Sequence, residues 1–215
     1  MKFKIITIFP ESIKAYLGES ILRRAQVKKL ISVRFHNPRD FATDGHRTVD
    51  DKPYGGGPGM VMKAEPILKA IEQALKGTEK PVKIILFSVG GKQFEAKTAR
   101  DLAKKYKTIV MICGRYEGVD ARVKKVLKAE EISVGPYVLT GGEVPAMLVI
   151  DAVSRHIPGV LGRADSLEEV RYGTGLPTYT RPEALKYKGK IYRTPKILAS
   201  GHHQRIEEFW RRQKA

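Results

Sequence analysis

Glu130-Glu131-Ile132-Ser133-Val134-Gly135-Pro136-Tyr137-Val138-Leu139-Thr140-Gly141-Gly142-Glu143 is the stretch on which the reading of this 215-residue chain turns. A short apolar strand ends near Val134. A Gly-Pro turn follows, then Tyr137-Val138-Leu139, then a glycine pair. A helical pattern begins at Glu143 and runs through Ile150 to about Arg155. Pro136 has no N–H to donate, so the segment between cannot form a regular ladder. Its glycines let backbone approach a ligand closely, and its free N–H and C=O groups need partners. An ordinary strand-to-helix turn fits these residues. So does a cradle for a flat, mostly apolar ligand with a few polar edges.

Outward from this stretch the chain alternates. Val82 to Phe87, Thr108 to Cys113 and Glu131 to Val134 read as strands. Phe94 to Tyr106, Asp120 to Leu127 and Pro145 to Arg155 read as helices. The fold class expected is α/β, a parallel sheet with helices on both faces. Ligands in such sheets bind beyond the carboxyl ends of the strands. The loops there are Ser88 to Lys92, Gly114 to Gly118 and Gly135 to Gly142, and all three are rich in glycine.

Before this region, Phe3 to Phe9 reads as a buried strand, helices cover Glu11 to Leu17 and Ser20 to Lys28, and Leu30 to Phe35 is another strand. Lys4 interrupts the first apolar run, and no small-residue cleavage site follows, so the run is not a secretory leader. No apolar run approaches the ~18 residues that span a bilayer. A single cysteine permits no internal disulfide and suits a reducing compartment. A soluble, cytoplasmic protein is expected. Asn37 to Pro58 reads as a long polar loop, of the length that tends to be functional or mobile. Gly55, Gly57 and Gly59 spell G-x-G-x-G before a helix at Ala64 to Leu75. The dinucleotide fingerprint must follow directly on a strand, and Val49 to Tyr54 is not one. Gly91-Lys92 is followed by Gln93 and fails as a P-loop.

Beyond the core, residues 163–178 read as a linker without periodicity. Thr180 is expected to start a helix with Pro182 in its first turn. A last helix covers His202 to Lys214, with Phe209 and Trp210 as docking residues and Arg205, Arg211 and Arg212 as charge. Forty Lys and Arg against 23 Asp and Glu give a formal net charge of +17. Clustered cations displace counterions from phosphates, so a polyanion partner is favoured. No segment joins a strong apolar face to a dense basic one, which argues against a membrane-surface helix.

The stretch from Glu130 to Glu143 resembles the cofactor loop of the bacterial tRNA (guanine-N1)-methyltransferases, of the knotted SPOUT class. Other blocks resemble the same family in the same order. They are Ile8 to Glu11, His46 to Asp51 with Tyr54 to Met60, Cys113 to Gly118, and Ser154 to Gly162. Thr180 to Glu183 adds a weaker one. The resemblance covers residues 1 to roughly 162 and is poor beyond. It implies a deep trefoil knot, S-adenosylmethionine as methyl donor, and transfer to N1 of guanosine 37 beside the anticodon of tRNA. It implies a homodimer with active sites at the interface and raises magnesium as an accessory requirement. No cluster has metal-ligand spacing. The domains implied are 1–162 for methyl transfer, 163–178 as a lid-like linker, and 179–215 as a small, shortened helical tRNA-binding domain.

Carried onto this sequence, the cofactor contacts are Leu86, Phe87 and Ser88 in the first loop and Gly114 and Tyr116 in the second. The third loop supplies Val134, Gly135, Pro136, Tyr137, Val138, Leu139, Gly141 and Gly142. Arg155 matches the arginine that binds the target base, although a helix C-terminal cap would also place a cation there. Asp50 and Glu117 match functional acids. The family's general base is an Asp in the linker, but counting back from Gly175-Leu176 puts Val170 at its place. Glu169 beside it is the best substitute, then Glu168, then Asp165. That departure keeps two alternatives open: another knotted RNA methyltransferase, or an RNA-binding protein with an impaired site.

Overall fold

Period-two alternation decides how the first unit is layered. A computed structural model describes residues 1–162 and 175–212. Strands β1 (Lys2–Ile6), β2 (Ser32–His36), β5 (Val82–Gln93), β6 (Thr108–Ile112) and β7 (Glu130–Ser133) form one sheet in the order β2-β1-β6-β5-β7. Every pairing in it is parallel. In the central strands successive side chains point to opposite faces. Phe3, Ile5, Ile109, Met111 and Cys113 therefore enter one core, while Ile6, Val110 and Ile112 enter the other. All five residues of β6 are buried, as a strand covered on both faces requires.

The first core takes residues from helices α1 (Pro10–Leu17), α2 (Ser20–Val27), α4 (Ala96–Lys105) and α6 (Glu143–Ser154). The second takes them from α3 (Ala64–Leu75) and α5 (Ala121–Leu127). Lys4 points into the second core and is almost fully buried. Its Nζ donates to the Ala74 carbonyl and to Thr78 Oγ1 at 2.6 Å, so the cation closes the C-terminal end of α3.

Two expectations change. β1 stops at Ile6 rather than Phe9, because the Thr7 hydroxyl turns the chain by accepting from Phe9 N at 3.0 Å. The long loop at 37–58 is not structureless. It holds a 3-10 turn at Pro38–Phe41 and the short strand β3 (Asp50–Asp51), which pairs antiparallel with β4 (Val61–Met62). The chain also divides into two compact units, Met1–Leu161 and Gly162–Ala215.

In the second unit the helix expected from Thr180 is absent among the described residues. A hairpin takes its place, β8 (Ala184–Tyr187) against β9 (Lys190–Arg193). Arg181 precedes a proline and is disfavoured from helix. Lys188 and Gly189 both have positive φ, 47° and 74°, the conformation of a two-residue hairpin turn. The small helical domain expected there is instead mixed, with one of its helices replaced by the hairpin. The unit is a hairpin, a 3-10 turn at Lys196–Ala199, and helix α7 (His203–Arg212). In α7 the Phe209 and Trp210 rings meet edge to face at 5.2 Å.

Candidate active site

The site grows from the carboxyl ends of β5, β6 and β7. The β5–β7 ladder breaks there: Ile132 stands opposite both Phe87 and Lys92, so residues 88–91 loop out of the sheet. Gly91 closes this excursion, and a Cβ on it would lie 2.6 Å from the Glu131 backbone. The expected loop from Ser88 to Lys92 is thus a bulge within a longer strand. After β6 the chain turns at Tyr116, held at φ 60°.

The third loop is braced by its own side chains. Ser133 Oγ donates to the Gly135 carbonyl at 3.0 Å, and Tyr137 Oη donates to the Val134 carbonyl at 3.0 Å. The Tyr137 ring folds onto Gly135, where a Cβ would come within 2.2 Å of it. The loop then returns across β5 to the end of β6. Gly142 N donates to the Gly114 carbonyl at 2.9 Å, and Gly141 bridges Arg115.

These three loops enclose a cavity of about 430 Å³, within the size range of small-molecule sites. Of the residues expected as cofactor contacts, Leu86, Phe87, Ser88, Gly114, Tyr116, Val134, Gly135, Tyr137, Val138, Leu139, Gly141 and Gly142 line it. Pro136 does not; it is exposed on the loop. Val89, Gly90, Arg115 and Thr140, inside the expected loops but not named singly, line it as well, and so does Glu131, which lies outside them. Among the described residues, the N–H groups of Val138 and Leu139 have no protein acceptor. Groups of this kind are open to a ligand's polar edge.

Glu117 also lines the cavity. Its side chain runs beneath Gly59, where a Cβ would lie 2.5 Å from Glu117 Oε1. Glu117 N donates to the Met60 carbonyl, and Met62 N to the Gly118 carbonyl, each at 2.9 Å. Asp50 pairs with Met62 in the β3–β4 ladder. The glycine-rich segment at 55–59 is therefore no nucleotide loop of its own. It attaches the Asp50 hairpin to the cavity wall beside Glu117.

Arg155 is not brought to this cavity within one chain. It caps the far end of α6, and twelve helical residues at 1.5 Å rise separate it from Glu143 by about 18 Å. It makes interactions of its own there. Glu169, Glu168 and Asp165 lie outside the described residues.

Two charged residues of the cavity lining, Glu131 and Arg115, meet opposite charges. Lys124 Nζ meets Glu131 Oε2 at 2.5 Å, and Arg122 Nη2 meets Asp120 Oδ2 at 2.6 Å. Arg115 Nε lies 3.0 Å from Glu143 Oε2. Burial, with Glu143 nearby, pushes the Cys113 thiol well above its usual pKa, so it stays neutral and is no nucleophile. Among the described residues, no three His, Cys, Asp or Glu side chains come together as a metal cage would need.

The whole chain, residues 1–215, matches the family described as tRNA (Guanine-1)-methyltransferase TrmD. It belongs to that family. The match covers the C-terminal region, where the resemblance read from the residues had been poor. A tRNA (guanine-N(1)-)-methyltransferase of Dictyoglomus turgidum is 50% identical over all of this chain and 85% of the relative. The Thermomicrobium roseum enzyme of that name is 50% identical, over all of this chain and 79% of the relative. The Geobacter sulfurreducens enzyme is 48% identical, over all of this chain and 86% of the relative. As a member of this methyltransferase family the chain is an enzyme, and its methyl donor is S-adenosylmethionine. The cavity, about 430 Å³ and walled by glycine backbone together with Leu86, Phe87, Tyr116 and Leu139, is of a size to hold such a donor.

Proposed function

We propose that this chain methylates N1 of guanosine 37 in tRNA. The observation that carries the reading is the convergence of three glycine-rich loops on one cavity, in a chain of this family. S-adenosylmethionine, when bound, supplies an activated methyl group. The chain's own residues hold and align it through Val138 and Leu139 backbone and the walls at Leu86, Phe87 and Tyr116. Neutral guanine keeps a proton on N1, so a base must take it and a donor must meet charge developing on O6. Arg155 is the proposed donor, with Asp50 and Glu117 completing the site. Glu169 is the proposed base, with Glu168 and Asp165 next.

The about 18 Å between Glu143 and Arg155 supports a homodimer in which a second copy brings its Arg155 to this cavity. Val144 and Leu148, one turn apart on α6, are both exposed and provide an apolar face for such a contact. The return of residues 134–142 across β5 onto the end of β6 supports the trefoil knot. Residues 1–162 would bind the donor, the linker at 163–178 would act as lid, and the basic second unit would grip tRNA. The protein would work in the cytoplasm, where tRNA is.

The test is methyl transfer from labelled S-adenosylmethionine to bulk tRNA, with the product nucleotide mapped. N1-methylguanosine at position 37 is expected. A different nucleotide would favour another RNA methyltransferase, and no transfer with intact tRNA binding would favour an impaired site. Running the assay with a chelator and with added magnesium decides whether the metal is required.

A further inference from the structure

The cavity wall rests on a ring of contacts around a buried acid, in which Arg115 lines the cavity and Glu143 does not. Glu143, the first residue of α6, is 2% exposed. Thr7 Oγ1 donates to its Oε1 at 2.7 Å, and Phe9 N donates to Thr7 Oγ1 at 3.0 Å. On the other side Glu143 Oε2 faces Arg115 Nε at 3.0 Å. Arg115 Nη1 donates to the Thr140 carbonyl at 3.2 Å, and its guanidinium lies 4.6 Å over the Phe9 ring. The ring is closed: Phe9, Thr7, Glu143, Arg115 and back to Phe9.

This ring joins three separate pieces of chain: the turn after β1, the loop after β6, and the end of the third cavity loop. Gly141 is a glycine because the pair passes beneath it. A Cβ there would lie 2.4 Å from Arg115 Nε and 2.7 Å from Glu143 Oε2. The approach of Arg115 Nε to Glu143 Oε2 is close, yet neither buried atom has a well-aligned hydrogen bond. A buried charge without its partner is costly, so each member fixes the other.

We propose that Glu143 is a positioning residue for cofactor binding. It acts through Arg115, which holds Thr140 and Gly141 in the conformation that frames the cavity. The inference rests on the cavity being the S-adenosylmethionine site. Glu143→Gln keeps the size and an acceptor for Thr7 but removes the charge that faces Arg115. Arg115→Met removes the cation and keeps the stem. Each single change is expected to weaken S-adenosylmethionine binding tenfold or more, because a buried partner is left unpaired. Because Glu143 acts through Arg115, the double variant is expected to bind as Arg115→Met does, with no further loss.

Calorimetric titration of the full chain with S-adenosylmethionine, well below each variant's melting temperature, reads the affinities. Steady-state kinetics should show KM for the donor rising by a larger factor than kcat falls. Glu143→Gln that melts lower but binds as wild type would make the residue merely structural and overturn the proposal. So would equal additive losses in the double variant, because they would mean the two charges do not act as a pair. If Glu143→Gln does not fold, the Arg115→Met and double variants still decide the question. Wild type that fails to bind the donor would instead overturn the functional reading on which this rests.

Discussion

Two glycines that both line the cavity should respond to substitution in opposite ways. At Gly141 a Cβ would lie 2.4 and 2.6 Å from Arg115 Nε and Cδ and 2.7 Å from Glu143 Oε2. These atoms cannot swing aside, because Arg115 is held at Thr140, Glu143 and Phe9. Gly141→Ala is therefore an overpacking change costing about 1–3 kcal/mol. In a chain of this size each kcal/mol moves the melting temperature by about 2–4 °C, so a fall of about 2–12 °C is expected. Gly90 has open space at its Cβ position and no left-handed φ. Gly90→Leu should leave the melting temperature nearly unchanged. Gly90 lines the cavity, so a leucine there would take up space in which the donor is proposed to lie, weakening S-adenosylmethionine about tenfold or more, which is about 1.4 kcal/mol. Differential scanning fluorimetry and calorimetric titration read the two effects separately. Gly141→Ala melting with wild type would refute the packing geometry. Gly90→Leu binding the donor as wild type does would refute the placement of the cofactor.

Glu117→Gln and Arg155→Ala should each abolish methylation. Mixed in equal amounts with free exchange of copies, they should recover about a quarter of wild-type activity, because half the dimers are mixed and each has one intact site; no recovery would sink the shared site. Glu169→Gln should slow single-turnover methylation by about 10²–10⁴-fold with tRNA affinity kept, and a rate within about threefold of wild type would remove Glu169 as the base. Affinity for tRNA should fall steeply as salt rises, and indifference to salt would reject phosphate contacts as its source. Burial, with Lys4 and Arg34 nearby, pulls the His36 imidazole below its usual 6.5, despite a hydrogen bond with Gln73. The unfolded chain then binds the proton first, so stability is full above about pH 6.5 and declines as pH falls toward the folded value. His36→Gln should flatten that decline in melting curves taken from pH 7 to 5, and an unchanged slope would exclude His36.

What the sequence disclosed follows from which physical signals are local. The sheet of the first unit was legible because β6 and its neighbours are short apolar runs separated by helical patterns, a signal carried within each segment. The cavity was legible because three loops rich in glycine had to fall at one edge of such a sheet. The antiparallel pair Asp50–Asp51 with Val61–Met62 was not, because two residues of polar strand carry no periodicity. The hairpin at Ala184–Arg193 was missed for a different reason. Thr180-Arg181-Pro182-Glu183 reads as a helix start, and the Lys188-Gly189 turn that overrides it lies five residues on. Arg115 and Glu143 were in view, but as parts of a block and of a helix start. Their pairing joins residues 28 positions apart and depends on the third loop turning back over β5. Nothing in either neighbourhood reports that.

Helix α6 connects these observations into one mechanical argument. Its first residue, Glu143, is locked into the ring with Thr7 and Arg115 at the cavity, and its last turn leads into Arg155. Between them Ala146, Val149, Ile150 and Val153 are fully buried in the first core, so the helix has no freedom to slide or rotate. The position of Arg155 relative to its own cavity is therefore fixed by the fold, at about one helix length. No local loop movement in the first unit can bring the two together. The shared site proposed above would draw Arg155 from a second copy, and the exposed Val144 and Leu148 lie on the same rigid element that would carry it there. On this argument a charge at Leu148, such as Leu148→Glu, should abolish methylation by separating the copies, yet leave S-adenosylmethionine binding intact if each cavity is complete in itself. Sedimentation, donor titration and turnover measured on that one variant separate the three quantities. A monomeric Leu148→Glu protein with full methylation would show that one chain completes the site after all, and the assignment of Arg155 would fall with the dimer.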